Sequence, residues 1–98
     1  MEKSTAHYKL ERVRALIAAK RVCFTRSATQ GVRHLGLEYL EAEAVINRLQ
    51  QQDFYKSMTS YADHRIWHDV YHPRTRNGAA YVKLTIEDEL LVVSFKIR

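Results

Sequence analysis

A single cysteine, Cys23, in 98 residues leaves no partner for an intramolecular disulfide and too few thiolates for a cysteine-held structural zinc. With only one proline and three glycines, nothing in the chain reads as disordered or low-complexity, and no internal repeat appears. Long apolar runs are missing too. No stretch approaches the roughly 18 apolar residues of a membrane span, and Met1 to Lys9 is polar, unlike a signal peptide. These absences predict a chain that works in the cytoplasm and has no membrane partner.

What is present suits one folded domain over residues 1–98. The chain is 46% hydrophobic and 28% charged, enough apolar residues for one modest core and too short a chain for two. The net charge is +5, and its distribution matters more than its total. From Lys3 to Arg33 the sequence carries eight basic residues against Glu11 alone, whereas Glu38 to Asp53 sets four acids against Arg48. A polarised basic chain suits a polyanion, because each neutralised phosphate releases counterions. A solvated basic surface is the plain alternative.

Hydrophobic periodicity divides the chain in two. Tyr8 to Lys20 places Leu10, Val13, Leu16 and Ile17 at helical spacing, with Ser4 or Thr5 as N-cap. A short extended piece, Val22-Cys23-Phe24, precedes a second helix capped by Thr25, which packs Ala28, Val32 and Leu35 and stops at Gly36. A third helix over Tyr39 to Gln51 buries Leu40, Ala44, Val45 and Leu49. Helices thus occupy residues 7–51. From Phe54 the period falls to two, predicting strands at Phe54 to Thr59, Arg65 to His72, Ala79 to Ile86 and Leu90 to Arg98. Helices first and antiparallel strands afterwards read as α+β, with the N-terminal helices packed on one face of the sheet.

Alternation assigns the faces. Val82, Leu84 and Ile86 pair with Leu91, Val93, Phe95 and Ile97 on the helix side, which leaves Tyr81, Lys83, Ser94, Lys96 and Arg98 on the other. If Trp67 and Tyr71 point to the core, His68 and His72 join that second face, and a five-residue loop from Pro73 to Asn77 sets His68 diagonal to Tyr81. Asp69 then falls on the apolar side and Ile66 and Val70 on the polar one, against the pattern.

The second face, with Lys56 from the neighbouring strand, has the residue types that cleave RNA without a metal. That reaction needs a base for the 2′-OH, an acid for the leaving 5′-oxygen and cations for the phosphate. Histidine titrates near neutrality, lysine and arginine supply charge, and tyrosine donates a hydrogen bond or stacks on a base. Each has a plainer role available: a solvated lysine, a cross-strand tyrosine, a surface histidine. His64, His68 and His72 recur every four residues, but on a strand that interval spans about 13 Å, so no metal site is expected there.

Met1-Glu2-Lys3, the run from Asp53 to Thr59, Ile66-Trp67, Asp69-Val70-Tyr71 and Val93-Ser94-Phe95-Lys96 resemble the MqsR (motility quorum-sensing regulator) toxin family over the whole chain. The resemblance implies a RelE-like fold with a curved antiparallel sheet. It implies a metal-independent endoribonuclease with no cofactor, cutting single-stranded mRNA at GCU-type sites without the ribosome, as the toxin of a type II toxin–antitoxin pair. Its partner would be a zinc-containing, DNA-binding antitoxin similar to MqsA. Lys56, Tyr81 and Lys96 match the family's catalytic positions. Position 68 departs from them: His68 stands where well-known members carry glutamine, and His72 stands where arginine is expected. The expected catalytic set is therefore Lys56, His68, Tyr81 and Lys96, with Tyr55, Met58, His72, Arg74, Lys83 and Arg98 contacting RNA. The alternative is a nuclease-dead module of the same fold that binds RNA or the antitoxin.

Overall fold

The computed structural model describes every residue from Met1 to Arg98. Its elements run β1 (Glu2–Lys3), α1 (Leu10–Ala18), β2 (Val22–Phe24), α2 (Arg26–His34), α3 (Tyr39–Asn47), a 3-10 turn (Gln51–Asp53), β3 (Phe54–Thr59), β4 (Trp67–Tyr71), β5 (Arg74–Thr75), β6 (Gly78–Glu87) and β7 (Glu89–Ile97). The main sheet is ordered β1-β3-β4-β6-β7-β2, with β5 paired to β6 beside it. No helix is long and apolar enough to cross a membrane.

The fold is α+β, as the switch of period predicts, but the sheet is mixed rather than wholly antiparallel. Edge strand β2 runs parallel to β7, Val22 opposite Leu90. Three residues between two helices carry no signal of their partner. The core joins Val13, Ala28, Val32, Ala42, Val45, Ile46 and Leu49 from the helices to Tyr71, Val82, Leu84, Leu90, Val92 and Phe95 from the sheet.

Some helix expectations change. The first helix starts only at Leu10, beyond reach of Ser4 or Thr5, and its N-cap Lys9 makes no side-chain cap. The third ends at Asn47, and it buries Ala42 and Ile46 while Leu40 is 72% exposed. Val45 and Leu49 are buried as expected. Helix α2 follows its sequence signals closely. Thr25 accepts from the Ala28 N–H at 3.1 Å, and Gly36, just past the helix, takes φ +71°, the left-handed conformation open to glycine.

A bulge re-phases β7. Lys83 faces Ser94, but Leu84 faces Val92, so Val93 is an extra residue on β7. Leu90, Val92 and Phe95 therefore reach the core, while Leu91 and Val93, expected there, are only half-buried, and Ile97 lies beyond the helices, 61% exposed. Thr25 satisfies the bulge: its N–H donates to the Val92 carbonyl at 3.1 Å and its hydroxyl to the Val93 carbonyl at 2.8 Å. One threonine thus caps α2 and pins it to the irregular strand.

Asp69 is on the core side because it holds the N-terminal segment. Its carboxylate is 1% exposed and accepts from the His7 N–H at 3.0 Å and the Tyr8 N–H at 2.9 Å. A buried carboxylate among apolar neighbours is stable only when so satisfied. The Tyr8 hydroxyl closes the arrangement at 3.0 Å from the Thr85 hydroxyl.

Candidate active site on the open face of the sheet

The face opposite the helices is organised in rows across the strands. Paired residues share a face, so Lys56, Val70, Lys83 and Ser94 form one row from β3 to β7. Val70 is fully buried in the middle, the apolar floor beneath two lysine stems. That explains an apolar residue on a polar face.

A second row lies one step along. Tyr81 is opposite Lys96, and His72, next after Tyr71 in β4, comes to Tyr81 with ring centroids 5.8 Å apart. The bulge between Phe54 and Lys56 frees Tyr55 to stack on the other side of His72, with centroids at 4.3 Å and planes 21° apart. The result is an aromatic ladder, Tyr55–His72–Tyr81, with cations along it. Lys96 Nζ lies 5.0 Å and Lys83 Nζ 5.9 Å from the Tyr81 ring, and Lys56 Nζ 5.5 Å from that of Tyr55.

Met58 and His68 pair in a third row on the far side of the lysines. His68 therefore stands about two side-chain steps, roughly 13 Å, from the row of Tyr81, and the expected diagonal contact between them does not form. The reason is the loop: Arg74–Thr75 folds back on Gly78 and Ala79 as β5, a register the sequence did not reveal. It sets His72, not His68, beside Tyr81. Arg74, paired with Ala79, lies one row beyond Tyr81; it is exposed and also lines a cleft with Asn47, Arg48, Gln50, Gln52, Asp53 and Pro73.

Electrostatics sort these groups. Lys56 donates to the Glu2 carboxylate at 2.7 Å, a pairing that raises the lysine's pKa and lowers the glutamate's. Burial, then Lys96 and Lys56, lowers Lys83 from the usual lysine value. Burial raises Tyr81, so its phenol stays protonated as a donor. His72 is lowered by burial and by Arg98, and His68 by burial and Lys83. Both imidazoles thus favour the neutral form near pH 7. No three His, Cys, Asp or Glu side chains gather closely enough to hold a metal ion. The pairing of Glu2 with Lys56 had no signal in the sequence, since a two-residue strand cannot be read and the pair spans 54 positions.

The face is open: the three clefts of the surface are all lined by other residues. An open row of aromatic rings edged by cations suits an extended single strand, whose bases stack and whose phosphates meet the lysines.

A family profile described as "Motility quorum-sensing regulator, toxin of MqsA" matches residues 5–97. The chain belongs to the MqsR toxin family. One relative, the mRNA interferase toxin MqsR of Escherichia coli (strain K12), is 48% identical over 96 residues, 98% of each chain. In this MqsR-family chain the catalytic positions implied by resemblance divide by geometry. Tyr81 and Lys96 are opposed in one row, Lys56 is in the next, and His68 is in the third.

Proposed function

We propose that this chain is an endoribonuclease, the toxin of a toxin–antitoxin pair, which cleaves single-stranded mRNA on the open face of its sheet, within a RelE-like architecture. The Tyr55–His72–Tyr81 ladder flanked by Lys96, Lys83 and Lys56 carries the reading. Two or three bases stack on a sheet face of this kind. A neutral imidazole removes the 2′-OH proton, and the freed oxygen attacks the adjacent phosphorus. The P–O5′ bond breaks, leaving a 2′,3′-cyclic phosphate and a 5′-hydroxyl once the leaving oxygen is protonated. His72 is better placed for that base than His68, because it adjoins Tyr81. The Tyr81 phenol and Lys96 ammonium stabilise the charge on phosphate, and Lys83, lowered by its surroundings, is the lysine readiest to protonate the leaving oxygen. Lys56 and Arg98 hold flanking phosphates, and Met58 and His68 extend the face.

The resemblance further implies GCU-type cleavage sites and a zinc-containing, DNA-binding MqsA-like antitoxin. Such a partner has two open sheet edges to extend, β1 and β2.

The test is cleavage of a short single-stranded RNA in EDTA, beside a growth assay with inducible expression. Wild type should cleave and arrest growth. Lys96→Ala should lose about 100-fold or more in rate yet melt normally, because Lys96 is exposed. A wild type that binds RNA or antitoxin without cleaving would leave the nuclease-dead module in its place, and activity abolished by chelation and restored by metal would overturn the metal-free mechanism.

A further inference from the structure

One polar cleft lies off the open face yet touches the end of the aromatic ladder. It has a volume of about 640 Å³ and is lined by Asn47, Arg48, Gln50, Gln52, Asp53, Pro73 and Arg74, with Val45 the single aliphatic side chain. That size lies within the range of small-ligand sites. Its walls are continuous with the site: Asp53 and Pro73 each stand beside a ladder strand end, and the His72 N–H donates to the Asp53 carbonyl at 2.7 Å. Tyr55 is two residues from Asp53, and Arg74 two from His72.

The polar groups of the cleft divide into fixed and free. The Asp53 carboxylate accepts from the Gln50 N–H at 2.9 Å and so shapes the 3-10 turn. The side chain of Gln50 donates to the Arg48 carbonyl at 3.4 Å. By contrast, the side chains of Asn47, Arg48, Gln52 and Arg74 make no hydrogen bond or ion pair within the protein. Two amides and two guanidiniums thus line one concavity, exposed to solvent and free of partners within the protein. Amides match the edge of a base, and guanidiniums match phosphate.

We infer that this cleft is a subsite for a nucleotide flanking the cleavage point, one amide reading its base while Arg48 and Arg74 hold its phosphates. The inference rests on the ribonuclease reading above and adds to it a place where sequence beyond the scissile step is recognised. An RNA strand stacked on Tyr55 leaves the face at the β3–β4 strand ends, where the cleft begins. A peptide of the antitoxin is the competing occupant. The ladder's continuity with the cleft and the cleft's excess of cations over its single, already bonded carboxylate favour RNA.

The test compares an RNA of about four nucleotides, long enough only for the face, with RNAs extended at the 5′ or the 3′ end. Affinity is measured by fluorescence anisotropy on the Lys96→Ala background, and KM is measured on the active protein. Extension at one end, and one only, should tighten binding. Arg48→Ala and Gln52→Ala should each undo that gain, by about tenfold for one well-placed polar contact, and leave the short RNA unaffected. Arg48→Ala should also flatten the slope of log affinity against log salt by about 0.7, one phosphate's share on a single strand; Gln52→Ala should not. Equal loss on short and extended RNA, no gain from either extension, or loss confined to antitoxin affinity would each overturn the subsite. Failure of the ribonuclease reading looks different: the extension gain persists in anisotropy while no RNA is cut.

Discussion

Gly31→Ala should unfold this protein more readily although alanine is the better helix former. Gly31 is buried in α2, where it meets β7 backbone to backbone. A Cβ built there would stand 1.8 Å from the Phe95 carbonyl oxygen, 2.9 Å from its carbon and 3.1 Å from Lys96 Cα. Ordinary contact needs roughly 3.5 Å, so helix and strand must separate by nearly half that distance. No flexible side chain can yield, because every obstacle is main chain. Nor can α2 retreat freely, since Thr25 binds its first turn to the Val92 and Val93 carbonyls. Overpacking costs about 1–3 kcal/mol, occasionally more, and a backbone clash this short belongs at or above the top. Alanine returns about 1 kcal/mol of helix propensity. The net loss should be at least about 2 kcal/mol, lowering Tm by roughly 8–16 °C for a domain of this size. Calorimetry beside Gln30→Ala, an exposed position of the same helix, measures it. Gln30→Ala should stay within about 0.5 kcal/mol of wild type. Because the clash reaches Lys96, cleavage should fall even at temperatures where the variant is folded. A Tm at or above wild type would refute the reasoning.

Two further outcomes follow from buried or shielded groups. If His72 is the base, the rate falls as pH drops through its folded pKa. That value is lowered by burial and Arg98, so the acid limb should have its midpoint below the usual 6.5. His72→Gln should abolish the limb and His68→Gln retain it; a limb that follows His68 instead would move the base to the third row. Asp69→Ala strands the His7 and Tyr8 N–H groups and should cost about 2–4 kcal/mol in chemical denaturation. Asp69→Asn keeps one acceptor oxygen and should cost less, and two variants both within about 0.5 kcal/mol of wild type would show that the carboxylate does not anchor the segment.

Where the sequence was readable, a local pattern sufficed. Strand β3 has the predicted bounds, and alternation places Lys56, Tyr81, Lys83 and Lys96 on one face. The failures share a cause, which is information held in distant contacts. The bulge at Val93 is stabilised by Thr25, 68 positions away, so strict alternation carried past it sends Leu91 and Val93 to the wrong side. Asp69 looks misplaced until His7 and Tyr8 arrive across more than 60 residues. His68 and His72 are indistinguishable by composition, and only the fold-back of β5 decides which meets Tyr81. Glu2 gains its meaning solely from Lys56.

The extra residue in β7 also gives this strand slack in its length. Leu90 and Val92 meet the core on one side of the irregularity and Phe95 on the other. Deleting Val93 would leave a regular ladder in which Val92 still faces Leu84, Ser94 faces Lys83, Phe95 faces Val82 and Lys96 faces Tyr81. The loss would fall on Thr25, whose hydroxyl donates to the Val93 carbonyl. Shortening a regular strand by one residue turns its inside out beyond the cut; here the bulge absorbs the change. Val93 is thus a position at which this strand can shorten with both faces intact.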